Sequence, residues 1–210
     1  MRHAVILANG TPPSAQTLRR ALARSELFLC ADGGANAARA LGAQPDAIVG
    51  DLDSVTPETL AHFTGVPLVR DADQERTDSE KAIDYALSRG SFHEITLLGA
   101  SSGRLDHVVG HIGLLRKYLG RVRLVMENES ERAYAAQSDV KLESPPGSVI
   151  SFFAVGAPVQ HVTTENLRFP LVDRTLELGV QDSISNVVDA VPAWIRFQGG
   201  PLFVMETRIP

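Results

Sequence analysis

Up to about residue 125, short apolar runs alternate with stretches of helical periodicity, and this alternation restricts the fold more than any other feature of the chain. The runs "HAVILA" (3–8), "LFLCA" (27–31), "AIVG" (47–50), "PLVR" (67–70), "EITLLG" (94–99) and "VRLVM" (122–126) read as strands. Helices are expected near 15–24, 34–42, 57–63, 78–89 and 105–118. Strand and helix in strict succession imply an α/β fold, a mostly parallel sheet covered by helices on both faces. From about 130 the texture changes to short strand-like pieces such as "SVISFFAV", "VQHVTTE" and "WIRFQ", divided by "PPG", "GAP" and "QGG". That spacing predicts a smaller all-β sandwich. We therefore expect two domains, 1–130 and 131–210, with the boundary near 127–140.

The helix expected from residue 78 has the best-marked start. In "TDSE", Thr77 serves as N-cap and Glu80 lies three residues on, ahead of apolar positions at 82, 83, 86 and 87. Asp78 and Lys81 then sit in its first turn.

Lys and Arg total 20 against 25 Asp and Glu, a net charge of -5, and no long run of either sign occurs. No nucleic-acid or anionic-membrane partner is therefore expected, and a polyanionic ligand would need a metal or a local basic cluster. A single cysteine, Cys30, excludes an intrachain disulfide, and its apolar strand end suits a small buried residue better than a nucleophile. The apolar run in "MRHAVILANG" is too short for a signal peptide or membrane span. The cytoplasm is the expected location.

Ligands of open parallel sheets bind outside the carboxyl ends of the strands. Acidic residues gather there: Asp32 in "CADGGAN", Asp51 and Asp53 in "GDLDS", Asp73 and Asp78 in "DADQERTDSEKA", and Asp106 in "GRLDH". Asp32 or Asp106 alone could be a helix N-cap. Two carboxylates two residues apart are harder to explain that way, because their repulsion needs a cation or a shared proton to offset it. Hard oxygen ligands without a His or Cys cluster favour Mg2+ over zinc. His107 and His111 lie one helical turn apart but lack the glutamate of a zincin motif, and His111 reads as a helix-packing residue. On the anion side, Gly33 and Gly34 lead into a helix, and Lys81 and Arg104 offer a point charge and a forked donor for phosphate. Neither a P-loop nor a "GxGxxG" fingerprint occurs.

In chain order, "ADGGAN", "GDLDS", "RTDSEKA", "LGASSGRLDH" and a late "SISN" followed by "GG" resemble the thiamine pyrophosphokinase family over nearly the whole chain. The resemblance implies an α/β domain followed by a β-sandwich, working as a homodimer. It implies transfer of pyrophosphate from ATP to the hydroxyethyl oxygen of thiamine, giving thiamine diphosphate and AMP. Asp51, Asp53 and Asp78 match the family's Mg2+ and catalytic carboxylates, and either Asp51 or Asp78 could be the general base. Asp32, Gly33, Gly34 and Asn36 match its nucleotide-side loop. Lys81, Arg104, Asp106 and His107 match its phosphate-side positions, with Arg104 among the catalytic groups. Ser185 and Asn186 match the sandwich motif that reaches thiamine across the dimer, and Gln74 matches a pyrimidine contact. Phe169 either stacks on the thiamine ring or belongs to the core. The chain departs from the family pattern at Glu75 and Arg76, at Ser101 and Ser102, and at His111, where an Asn is common. Two other readings are a pyrophosphokinase with another acceptor, such as a hydroxymethylpterin, and a non-catalytic nucleotide-binding regulator.

Overall fold

A computed structural model describes residues 2–207, which divide into two units. The first ends at Leu114 and also takes in Val122–Glu129; the second takes Leu115–Arg121 and continues from Ser130.

In the first unit the elements run β1 (His3–Leu7), α1 (Ala15–Leu22), β2 (Leu27–Ala31), α2 (Gly34–Ala40), β3 (Ala47–Gly50), α3 (Pro57–His62), β4 (Leu68–Arg70), α4 (Asp78–Ser88), β5 (Glu94–Leu98), α5 (Leu105–Lys117) and β6 (Arg123–Glu127). The strands lie in the order β6-β5-β1-β2-β3-β4, and every pairing is parallel. This is the sheet expected from the alternation. Central strands buried on both faces must be apolar throughout, and β1 is buried at every residue. Val5, Leu7, Leu18, Phe28, Cys30, Ile48 and Leu98 share one core cluster. Each Leu or Ile wholly withdrawn from water there is worth about 1.5–3 kcal/mol. Burial pushes the Cys30 thiol well above its ordinary range, which keeps it a packing group.

Thr77 caps α4: its backbone is extended and its Oγ1 accepts the Glu80 N–H at 3.3 Å. Thr77→Ala is expected to cost about 1 kcal/mol, the usual worth of such a cap, measured as a shift in urea midpoint at unchanged slope.

The second unit contains β7 (Glu131–Ala136), β8 (Val140–Leu142), β9 (Val149–Ala154), β10 (Val159–Glu165), β11 (Arg174–Leu176), β12 (Ser183–Val187), β13 (Ala193–Gly199) and β14 (Leu202–Thr207). They form two antiparallel layers, β12-β9-β14-β7 and β11-β10-β13-β8. Burial alternates along β9, with Ile150, Phe152 and Ala154 inside, as the period of two requires. The smaller sandwich expected after the α/β region is present. Among the described residues no helix is long and apolar enough to cross a membrane.

Candidate active site

The carboxyl ends of β2 and β3 and the start of α4 bring three acids together. Asp32 extends β2, donating its N–H to Val49 O at 2.8 Å, and takes a left-handed backbone, φ 44°. Its side chain is 3% exposed, and Oδ1 has no hydrogen-bond partner. Burial, reinforced by the charges of Asp78 and Asp53, raises its carboxyl above the usual range. Asp51 follows β3, and Asp78 is the first residue of α4. One carboxylate oxygen from each of Asp32, Asp51 and Asp78 lies within 4.8 Å of the others. At 4.8 Å two ionised groups repel by roughly 3.5 kcal/mol at an effective dielectric constant of about 20, so the arrangement calls for positive charge.

Asp53 stands outside this group. Leu52, between the two acids, has φ 67°, a left-handed turn that breaks the strand's alternation. Asp51 Oδ1 accepts the Asp53 N–H at 3.2 Å, and the exposed Asp53 carboxylate accepts Ser54 Oγ at 2.8 Å. The cluster thus pairs Asp51 and Asp78 with Asp32, which the sequence had aligned with the nucleotide-side loop.

Two neighbours act on the cluster directly. Lys81, with its side chain 2% exposed, donates Nζ–H to Asp78 Oδ1 at 2.9 Å. Gln74 donates Nε2–H to Asp51 Oδ2 at 3.2 Å, and that bond, followed by the Asp53 N–H, holds the Asp51 carboxyl below its usual range. The loop carrying Gln74 is clasped by Arg76, whose guanidinium reaches Asp71 at 2.7 Å, Asp73 at 2.8 Å and Asp84 at 3.1 Å. Arg76, which the resemblance marked as a departure, thereby has a structural reason.

The second glycine of "DGGAN" is demanded by packing against backbone, whereas the first faces only the movable end of the Asn9 side chain. A Cβ on Gly34 would lie 2.1 Å from Leu7 O, and one on Gly33 would lie 2.4 Å from Asn9 Nδ2. Asn36 has both ends of its amide occupied, donating Nδ2–H to Ser54 O at 2.8 Å and accepting the Thr56 N–H at 3.0 Å. It therefore ties α2 to the loop that follows "GDLDS". Arg104 and Asp106 form an exposed pair at 2.6 Å, which holds the Asp106 carboxyl down to about 2, and Asp106 Oδ1 accepts the His107 N–H at 3.0 Å.

In the second unit, Asn186 is 2% exposed and grips the backbone of Phe169 at two points. Its Oδ1 accepts the Phe169 N–H at 3.0 Å and its Nδ2–H donates to Phe169 O at 2.7 Å. Phe169 itself is 60% exposed, so it is no core residue. Ser185, beside Asn186, has φ 57° and donates its N–H to Ser151 Oγ at 3.0 Å.

Gly50 is a site residue that the sequence reading missed. Its φ is +152°, and a Cβ there would lie 2.9 Å from Asp32 Cβ and 3.0 Å from Asp78 Oδ1. The signal was present in "GDLDS", as a glycine ending a buried strand immediately before the first acid.

Asp32, Asp51 and Asp78 are suited to a hard divalent cation. They offer only oxygen donors, and the unpartnered, buried Asp32 Oδ1 is the kind of atom a cation satisfies.

Known proteins resemble the chain in both of its units. Residues 18–126 match the family model "Thiamin pyrophosphokinase, catalytic domain", and residues 137–202 match "Thiamin pyrophosphokinase, vitamin B1 binding domain". Thiamine pyrophosphokinase 1 of Oryza sativa subsp. japonica is 29% identical over 213 residues, covering 88% of this chain and 80% of the relative. Thiamine pyrophosphokinase of Bacillus subtilis (strain 168) is 26% identical over 173 residues, covering 79% and 80%. The crystal structure of thiamine pyrophosphokinase from Bacillus subtilis superposes with a TM-score of 0.87 at 22% identity, over 100% of both chains. That of yeast thiamin pyrophosphokinase gives 0.87 at 14%, over 99% of this chain and 86% of the other.

Proposed function

The chain belongs to the thiamin pyrophosphokinase family, and from this we infer that it transfers the pyrophosphoryl group of ATP to thiamine, giving thiamine diphosphate and AMP. The observation that carries the reading to this chain is the convergence of Asp32, Asp51 and Asp78 around a buried, unpartnered oxygen. The match of residues 137–202 to a vitamin B1 binding domain favours thiamine over a pterin as acceptor. Mutually repelling acids retained at one point also favour turnover over a purely regulatory role.

We assign Asp32, Asp51 and Asp78 to a Mg2+ ion, which when bound would neutralise phosphate charge. In the transfer, the hydroxyethyl oxygen of thiamine attacks the β-phosphorus, the bond from that phosphorus to the oxygen of the α-phosphate breaks, and AMP departs. Lys81 and Arg104 are assigned to the charge on the phosphoryl oxygens. To take that part Arg104 must exchange its Asp106 partner for phosphate, a substitution of one anion for another at an exposed site. Asp51, kept in its ionised form by Gln74, is a weak proton acceptor and better fitted to hold the metal. A loose transition state asks little of a base, so the hydroxyl proton leaves late and passes to water.

Gly33, Gly34 and Asn36 support the nucleotide side as scaffold, and Asp106 and His107 line its phosphate side. Thiamine contacts are assigned to Gln74, Phe169 and Ser185, with Asn186 presenting Phe169. Homodimer formation is proposed on the exposed apolar side chains Phe169, Val172, Leu178, Val180 and Ile184, any of which a partner could cover. The cytoplasm remains the proposed location.

Incubation with MgATP and thiamine is expected to yield AMP and thiamine diphosphate in equal amounts, followed by chromatography. Formation of ADP, or AMP release that ignores thiamine, overturns the reading.

A further inference from the structure

We propose that His111 is a positioning residue for this transfer, tying the first turn of α4, which carries Asp78 and Lys81, to the loop that carries Arg104. The inference rests on the function proposed above and concerns a residue where this chain departs from its family's pattern.

The imidazole of His111 is buried, 7% exposed, on α5. Its Nδ1 lies 3.0 Å from Ala100 O, and a carbonyl oxygen only accepts, so Nδ1 bears the proton. In the neutral ring Nε2 is then an acceptor, and Ser79 Oγ, 2.8 Å away, donates to it. Burial lowers the pKa of this histidine, in keeping with a neutral ring. Ring, hydroxyl and carbonyl thus form one chain of hydrogen bonds with a single direction.

Its two ends are what give the bridge consequence. Ser79 follows Asp78 in sequence and precedes Lys81 by one residue-pair of helix, so a shift of Ser79 moves the cluster's α4 side. Ala100 opens the irregular segment that leads to Arg104, whose residues 102–104 are exposed. The other side of that segment's stem is already tight. A Cβ on Gly10 would lie 2.1 Å from Gly99 O, and Gly99 itself has φ +66°. With the segment that follows β1 packed against one side and His111 bonded on the other, Ala100 is held relative to α4. Any buried histidine needs a partner for each ring nitrogen; here the two partners lie on the two segments that carry Asp78 with Lys81 and Arg104.

The test uses the full-length chain with Ser79→Ala, His111→Ala, the double substitution and His111→Gln, which keeps a polar atom near the Nε2 position. Because a misplacement of about 1 Å can cost about 100-fold in rate, both single substitutions to Ala are expected to lower kcat by about 10- to 100-fold. KM for thiamine should stay within about twofold, since uniform binding is untouched. The double substitution should be no slower than His111→Ala, and His111→Gln should recover part of the loss. Ser79→Ala removes one oxygen from a well-capped helix and keeps the test open if His111→Ala fails to fold. Wild-type kcat in Ser79→Ala, or losses that multiply in the double variant, overturns the proposal. A wild-type chain inactive on thiamine would overturn the functional reading instead. The bridge is then read by Mn2+ affinity in the same proteins: weakening of about tenfold in both Ala variants sustains it, and unchanged affinity overturns it.

Discussion

Asp32→Asn is expected to raise the melting temperature of the metal-free protein while lowering kcat by about 100- to 1,000-fold, the usual range for removal of one preorganised electrostatic group. The two effects share a cause. Asp32 is nearly inaccessible, its Oδ1 lacks a partner, and burial raises its carboxyl pKa above the unfolded value of 3.8. For an acid with a raised folded pKa, the stabilising contribution is fully present below the unfolded pKa and is lost as pH rises through the folded one. Metal-free wild type should therefore lose melting temperature over that rise, whereas Asp32→Asn should not show this component. Adding Mg2+ near neutral pH should restore the wild type and raise the variant's melting temperature less, because the variant keeps only two of the three carboxylates. Calorimetric scans from about pH 4 to about pH 8, with EDTA or with MgCl2, read both halves. A variant that melts lower than wild type without metal would remove the claim that Asp32 is strained for function.

Gly50→Ala is expected to weaken Mn2+ binding and kcat/KM by about 100-fold or more, since displacements near 1 Å carry that cost. The added methyl would meet Asp32 Cβ at 2.9 Å and Asp78 Oδ1 at 3.0 Å, so the relaxation falls on two members of the cluster at once. The backbone adds its own cost, about 1–3 kcal/mol for a side chain held at an unfavourable φ, here +152°. Gly65→Ala is the matching control. Its φ is +93° but nothing lies within 4 Å of the new methyl, so it should lower the melting temperature and leave kcat/KM alone. Equal losses of activity in both variants would mean that Gly50 serves the fold alone.

Much of this architecture can be read along the chain. Strands such as Leu27–Ala31 and Ala47–Gly50 are legible because parallel strands covered on both faces must be apolar at nearly every position. The start of α4 is legible because a cap and its partner lie three residues apart. The site is legible in outline, since acids recur at strand ends.

Which acids lie together is legible only in part: Asp51 and Asp78 are expected to, and Asp32 is not. Asp53 follows Asp51 by two residues, yet the left-handed turn at Leu52 takes it out of the cluster, and φ at a leucine leaves no mark in composition. Phe169 is exposed because Asn186, seventeen residues on, pins its backbone. The resemblance marked Arg76 and His111 as departures, and the sequence does not show what they contact. Their partners include Asp84 on α4 for the arginine, and Ser79, thirty-two residues away, for the histidine.

By itself the sequence determined the layered α/β sheet, the sandwich that follows it, and the delivery of acids to one rim, because these depend on hydrophobic period and on local capping. Only the tertiary structure decided that Asp32, Asp51 and Asp78 are the acids that meet. Their meeting depends on the register of β2 beside β3, where Ala31 pairs with Val49. It depends also on the left-handed backbone at Asp32 and on the missing side chain at Gly50, which lets the first turn of α4 approach. Those are distances between separate segments, and they are set by how the segments pack.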